Sequence, residues 1–298
     1  MQQHEMTPTD PRRPFVHLTK HHGAGNDFLV LVDLDDAQAL DPGAARLLCD
    51  RHFGVGADGV IRVLAGSDGA DLTMDLTNAD GGTAEMSGNG MRCLAQAAVR
   101  AGLVPSPTFT VATPGGVRTV EFRAAAADGP DWASVDMGAA RLGAEQTPSG
   151  GAARGRLVDM GNPHLVLVVD DLVGIEVAAL GQALQGEFSE GINVEFIAVG
   201  PGRDALTLRV WERGVGETLA CGTGSAASAA AAHDWGLVGT TVDVHNPGGT
   251  LRVELRSDAV VLSGPVVHVA DVEVPAGLLA VGAGHPAGPV AAGAGRRP

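Results

Sequence analysis

Cys221 heads the stretch Cys221-Gly222-Thr223-Gly224, and 134 residues earlier Ser87 heads Ser87-Gly88-Asn89-Gly90. Each leads into a run of small residues with helical spacing, Gly88–Ala101 and Gly222–Trp235. A helix start presents N–H groups without intrahelical partners and a partial positive charge, so it receives anions such as carboxylates. Glycine there lets a ligand come close to the backbone. The same field favours the thiolate of Cys221. Two such starts facing each other across one cleft could remove a proton from one face of a carbon and return one to the other. That is racemisation or epimerisation beside a carboxylate. An isolated Cys221 would read more simply as a buried structural thiol; its place at a glycine-rich helix start favours the chemical reading.

Two other patterns are weaker. Gly54-Val-Gly-Ala-Asp-Gly59 and Gly222-Thr-Gly-Ser-Ala-Ala227 fit dinucleotide-type glycine spacing, with Asp243 near the ribose-acid position. Neither follows directly on a strand as that site requires. His21-His22 and the Cys49/His52 pair offer no second ligand pair at zinc spacing, so no metal is expected.

The elements that position these residues come as a duplication. At an offset of 134, Ser87, Gly88, Gly90, Ala95, Gly102 and Leu103 align with Cys221, Gly222, Gly224, Ala229, Gly236 and Leu237. Upstream, Leu72, Thr73 and Gly82 align with Leu206, Thr207 and Gly216. Downstream, Pro114-Gly115-Gly116 matches Pro247-Gly248-Gly249 after a one-residue shift. Gly25-Asn26 before Leu29–Val32 mirrors Gly161-Asn162 before Leu165–Val168. Short β-branched strands are expected at Leu29–Val32, Leu72–Leu76, Phe109–Val111, Val117–Phe122, Leu165–Val169, Val194–Val199, Leu206–Trp211, Leu251–Leu255, Val260–Leu262 and Val266–Val274. A helix is expected at Ala44–His52. The two Ala-rich helices lack a polar face and so should be buried. The fold class is α+β: two similar halves, each a curled, mostly antiparallel sheet or barrel around a central helix. The halves are placed at 15–136 and 137–264, with a last strand at about 265–275 free to return to the first half. Residues 1–14 and 276–298 read as polar and Ala/Gly/Pro-rich tails, and Ala124–Pro130 and Glu145–Gly155 as loops.

Composition narrows the function. A chain of 298 residues with 45% hydrophobic and 18% charged residues buries a core and is not disordered. A net charge of −15 argues against nucleic-acid and anionic-membrane partners. Lys20 is the sole lysine, so a Schiff base would have to form there. Three cysteines do not read as a disulfide framework, and neither a leader segment nor a long apolar run is present, so a reduced, cytoplasmic location is expected.

Six motifs resemble the diaminopimelate epimerase family: Lys20-His-His-Gly-Ala-Gly-Asn-Asp-Phe28, Arg51-His-Phe-Gly-Val-Gly-Ala-Asp-Gly59, Asn78-Ala-Asp-Gly81, Gly88-Asn-Gly90, Met160-Gly-Asn-Pro-His164, and Trp211-Glu-Arg-Gly-Val-Gly-Glu217 leading to Ala220-Cys-Gly-Thr-Gly224. The resemblance spans about Phe15 to Val274. It implies a duplicated barrel-and-helix isomerase without pyridoxal phosphate or other cofactor, acting in lysine biosynthesis on a diamino dicarboxylate. It implies Cys221 as one acid/base group and Gly88, Asn89, Gly222 and Thr223 as holders of the reacting α-carboxylate. Asn26, Asn78, Asn162, Asn193, Glu212 and Arg213 would bind the substrate's other polar groups, Arg213 aptly because its fork pairs with carboxylates. His164 and Glu212 would tune the acid/base pair. The substrate is the one partner expected, with no nucleic acid and no membrane; a homodimer is allowed.

Ser87 departs from the family, which carries a second cysteine there. A hydroxyl needs an adjacent base to work, and Cys93, six residues on, lies more than a turn into the helix. Three readings stay open. The chain is an epimerase whose second proton path runs through Ser87 or a water. It is a one-base lyase or isomerase of a related amino or hydroxy acid, using Cys221. Or it is a catalytically weak paralogue that binds an amino acid.

Overall fold

The computed structural model describes residues 15–84, 86–126, 129–146 and 154–278. The first tail and most of the second, with the centres of the two expected loops, lie outside the described residues.

The chain order in the first half is β1 (Phe15–Gly23), β2 (Asn26–Val32), α1 (Pro42–Cys49), β3 (Gly59–Ala65), β4 (Leu72–Asn78), α2 (Gly88–Arg100), β5 (Thr108–Thr113), β6 (Gly116–Arg123) and β7 (Asp131–Asp136). The second half runs β8 (Arg141–Gln146), β9 (Arg154–Asp159), β10 (Pro163–Val168), α3 (Val177–Gln185), β11 (Asn193–Val199), β12 (Ala205–Glu212), β13 (Gly216–Thr218), α4 (Gly222–Asp234), β14 (Thr241–Asn246), β15 (Gly249–Leu255) and β16 (Val260–Pro275).

Strands β1 to β7 pair in sequence order, and β16 closes them into an eight-stranded barrel by pairing with both β7 and β1. On its other edge β16 pairs with β15, from which the second half continues through β14, β12, β11, β10, β9 and β8. Most pairs are antiparallel. The parallel ones, β2–β3, β4–β5, β10–β11 and β12–β14, fall where a helix intervenes, because only a crossover returns the chain in the same direction. Sequence expectation divided β16 at Pro265. The strand runs through it because its neighbour there changes from β15, up to Ser263, to β1, from Val267. Pro265 falls in that gap, where its missing N–H leaves no ladder bond unmade.

Helices α2 and α4 run through the two curled sheets with Gly88–Ala98 and Gly222–Ala232 buried. They are the same element twice. Both span 13 residues, and both end on a glycine at positive φ, Gly102 at 68° and Gly236 at 72°. Leu103 N–H then bonds Ala98 O as Leu237 N–H bonds Ala232 O. This left-handed stop requires glycine. A continuous apolar cluster of β-branched, Leu and Ala side chains surrounds both helices.

Polar groups are also buried here. The His21 ring lies between Gln96 Oε1, 2.8 Å from Nδ1, and Thr19 Oγ1, 2.8 Å from Nε2. Burial, with His268 and Arg100 nearby, pushes its pKa down to about 4. His21 is therefore neutral in the folded chain while the unfolded chain takes up a proton below its usual 6.5. The stabilisation is complete above that value and is lost as pH falls from 6.5 towards 4. Between pH 7.5 and 5 the loss amounts to about 2 kcal/mol. Urea unfolding at those two pH values should show His21→Gln losing about that much less than the wild type; equal losses would contradict this account.

Candidate active site

The two helix starts are built alike. Ser87 and Cys221 both sit in extended backbone as N-caps. Ser87 Oγ accepts from Gly90 N–H at 3.0 Å, and Cys221 Sγ from Gly224 N–H at 3.3 Å. The third N–H of each helix is thereby taken, and the first two, on Gly88, Asn89, Gly222 and Thr223, have no acceptor inside their own helix. The starts abut: a Cβ on Gly222 would lie 3.2 Å from Gly88 Cα and 2.9 Å from Leu262 Cδ2. Any larger residue would force the helix ends apart. Four N–H groups and two positive helix ends thus converge on one point, an arrangement suited to a carboxylate.

That point lies in a cleft of about 260 Å³ between the halves. The structure brings Asn26, Asn78, Ser87, Gly88, Asn89, Asn162, Asn193, Glu212, Arg213, Cys221, Gly222 and Thr223 to its wall. His164 alone of the expected residues is set back, fully buried behind Asn162.

Asn89 ties the halves together. Its Nδ2 donates to Asn26 Oδ1 and to Ala220 O, both at 3.0 Å, while Arg92 donates to its Oδ1 at 2.7 Å. Asn26 in turn donates to Asp58 Oδ2 at 2.7 Å. Asp58 is held by Arg51, which also grips Asp27 with two bonds. Lys20 is committed to Asp27 at 2.9 Å and does not line the cleft. Asn193 accepts from Arg213 N–H at 2.9 Å and donates to Pro163 O at 3.0 Å, so it shapes the turn carrying Arg213. The Arg213 guanidinium donates to Glu190 O at 3.3 Å, and among the described residues no carboxylate pairs with it.

The surroundings of Cys221 and Ser87 differ. Cys221 is buried and Ser87 half-buried. Glu212, from β12, accepts from Thr218 Oγ1 and lines the cleft beside Cys221. Burial pushes the Glu212 carboxyl up, against the pull of Thr218 and of the neighbouring thiol. The expected lowering of the Cys221 pKa is reversed. Burial, then the carboxyls of Glu212 and Glu195, push the thiol well up, and the pull of Thr223 and of the Gly224 N–H at the helix start is smaller. The resting group is a thiol, with Glu212 placed to take its proton.

Three contributors were not anticipated. Asp58 lay unnoticed within a glycine motif. Arg118 reaches the cleft from β6 and bonds Gly115 O at 2.6 Å. Glu195 is buried on β11, 2.7 Å from His164; a lone carboxylate in Val194-Glu-Phe-Ile-Ala-Val199 was the available signal. Among the described residues, no group of three or more His, Cys, Asp and Glu side chains is gathered to hold a metal, and none of the described helices is long and apolar enough to cross a membrane.

Comparison with known proteins bears on the family and the fold. The diaminopimelate epimerase family profile matches residues 18–143 and 156–269. The chain is 39% identical over 273 residues to the diaminopimelate epimerase of Synechocystis sp., covering 84% of this chain and 96% of the relative. It is 40% identical over 273 residues to that of Corynebacterium glutamicum, covering 87% and 98%. Among solved structures, a hydroxyproline epimerase from Agrobacterium vitis shares the fold, with a TM-score of 0.70, 18% identity and coverage of 88% and 91%.

Proposed function

Since the chain belongs to the diaminopimelate epimerase family, and is thus an isomerase, we propose that it interconverts LL- and meso-diaminopimelate at this cleft with Cys221 and Ser87 on opposite faces of the α-carbon. The observation that carries the proposal is the meeting of the two capped helix starts at Gly88 and Gly222.

The reacting carboxylate lies on the N–H groups of Gly88, Asn89, Gly222 and Thr223. When the α-proton leaves, negative charge grows on that carboxylate, where fixed N–H dipoles and both helix ends stabilise it without rearrangement. The Cys221 thiol passes its proton to Glu212, and the thiolate takes the α-proton. On the opposite face the Ser87 hydroxyl gives its proton to the carbon as it takes one from a water at the cleft mouth, so no free alkoxide forms; the hydroxide left there is neutralised by the proton that Glu212 releases, which restores the carboxylate for the next turnover. Its half-buried position gives that water access. In the reverse direction each transfer runs backwards. Arg213 receives the distal carboxylate.

The test supplies each isomer separately in D₂O and follows deuterium and configuration together. Each isomer should yield the other with deuterium at the inverted centre. Ser87→Ala should keep exchange at the Cys221 face while inversion falls by about 10²-fold, and Ser87→Cys should raise kcat above wild type. Exchange without inversion in the wild type would overturn the two-face proposal in favour of a lone base at Cys221, the chemistry of a lyase.

A further inference from the structure

Behind Cys221 lies a chain of polar groups that the proton transfers above do not use. Glu195 Oε1 is 2.7 Å from His164 Nδ1, and His164 Nε2 is 2.9 Å from Asn162 Oδ1. Asn162 Nδ2 donates to Thr223 Oγ1 at 3.4 Å, and Thr223 Oγ1 lies 3.5 Å from Cys221 Sγ. Glu195 and His164 are fully buried, and Glu195 Oε2 is buried without a hydrogen-bond partner.

We infer that Glu195 is a positioning residue: paired with His164, it fixes the direction of this hydrogen-bond chain so that the Thr223 hydroxyl donates to the sulfur of Cys221. The inference rests on the reading of Cys221 as an acid/base group.

The direction follows from donor and acceptor chemistry. A carboxamide oxygen only accepts, so His164 Nε2 carries a hydrogen. Asn162 then offers its N–H to Thr223 Oγ1, which leaves the hydroxyl hydrogen free for sulfur. Glu195 Oε1 and His164 Nδ1, 2.7 Å apart, share a hydrogen, and Nε2 keeps its own. With Nε2 as an acceptor instead, Asn162 would turn over. Thr223 would then donate to Asn162 instead of to sulfur.

The fold does not need this pair. In the first half the same niche is filled by Phe28 and Ile61. Phe28 registers with Gly59 as His164 registers with Asn193, and Ile61 lies two residues beyond Gly59 as Glu195 lies two beyond Asn193. A Cβ on Gly90 would meet Ile61 Cδ1 at 3.2 Å, and one on Gly224 would meet Glu195 Oε1 at 2.7 Å. The polar pair therefore stands only behind the thiol, where the ionisable groups acting on Cys221 are Glu212 and Glu195, with His164 acting on Glu212.

The test measures alkylation of Cys221 against pH, with kcat and KM alongside, in Glu195→Gln, Glu195→Met and the double variant His164→Phe/Glu195→Ile. The double variant copies the packing of the first half and guards against simple misfolding. In Glu195→Gln the amide N–H donates to Nδ1 and keeps the direction, so kcat stays within about threefold of wild type, while the alkylation midpoint moves down as the push of the Glu195 carboxyl on the thiol is lost. In Glu195→Met nothing beside Nδ1 holds the hydrogen on Nε2, and in the double variant Asn162 loses its imidazole partner, so in both the sulfur loses the hydroxyl aimed at it. Their alkylation midpoints then lie above that of Glu195→Gln by about one pH unit, and in Glu195→Met kcat falls about tenfold with KM unchanged. If Glu195 acted merely as a nearby negative charge, Glu195→Met would move the midpoint down as far as Glu195→Gln does, and that result would overturn the inference. Alkylation needs no substrate, so this outcome stays separate from failure of the diaminopimelate assignment, which would show as absent turnover in the wild type.

Discussion

Cys221→Ser is expected to lower kcat by at least about 10³-fold while leaving KM within a few-fold and stability nearly unchanged. The stability expectation comes from the protein itself. Ser87 caps α2 with the bond that Cys221 makes to α4, so a serine at 221 keeps the cap. KM should hold because the carboxylate is bound by backbone N–H groups that the substitution does not touch. The loss falls on kcat because a hydroxyl is far less acidic than a thiol in the same place, so at 221 it gives up a proton to Glu212 much less readily. With two hydroxyls the site would be nearly symmetric and nearly inert. A kcat within tenfold of wild type, in steady-state assays with each isomer, would remove Cys221 from the chemistry.

Arg213→Met should raise KM about 10²-fold and change kcat much less. A chain carrying a net charge of −15 must bind a dicarboxylate against its own field, so local cations decide affinity. The helix starts serve one carboxylate. For the other, Arg213 is the cleft arginine whose guanidinium is least committed, with a carbonyl contact to Glu190 at 3.3 Å. Methionine keeps the stem that packs over Gly191 and leaves the Arg213 N–H bonded to Asn193. The turn therefore stays in place and the change reports on charge. An unchanged KM would assign the distal carboxylate to Arg118.

Legibility from sequence followed how local each signal was. The pairing of Ser87 with Cys221 across the repeat anticipated two helices of equal length with matching caps, because capping and the glycine stop are written within a dozen residues. Strand β3 is absent from the expected strands, since its first residue, Gly59, closes a glycine motif and the ion-paired Arg62 interrupts its continuously buried apolar run. Strand β1, with Lys20 and three histidines, was hidden too, because the partners that satisfy Lys20 and His21, namely Asp27, Gln96 and Thr19, come from elsewhere in the barrel or along the strand. Helix α1 stops at Cys49 rather than at His52, where Asp50 turns its carboxylate onto the following N–H groups. In the site, motif residues were visible and their supports were not. Whether Glu195 faces His164, or Asp58 faces Asn26, depends on strand pairing between segments about 30 residues apart. The sign of the Cys221 shift depended on burial, which no local pattern encodes.

The last strand also has a consequence for synthesis. A ribosome extends the chain from the N-terminus, and the first half has all its strands but one by Asp136. It cannot close until Val260–Pro275 has emerged, about 120 residues later, which takes several seconds at ordinary elongation rates. Throughout that interval β1 and β7 present bare edges, the templates on which nascent chains stick to one another. A transcript cut short before codon 260 should therefore yield not a folded half but an aggregating one, and the newborn protein is a natural client for chaperones that shield strand edges until its final residues arrive.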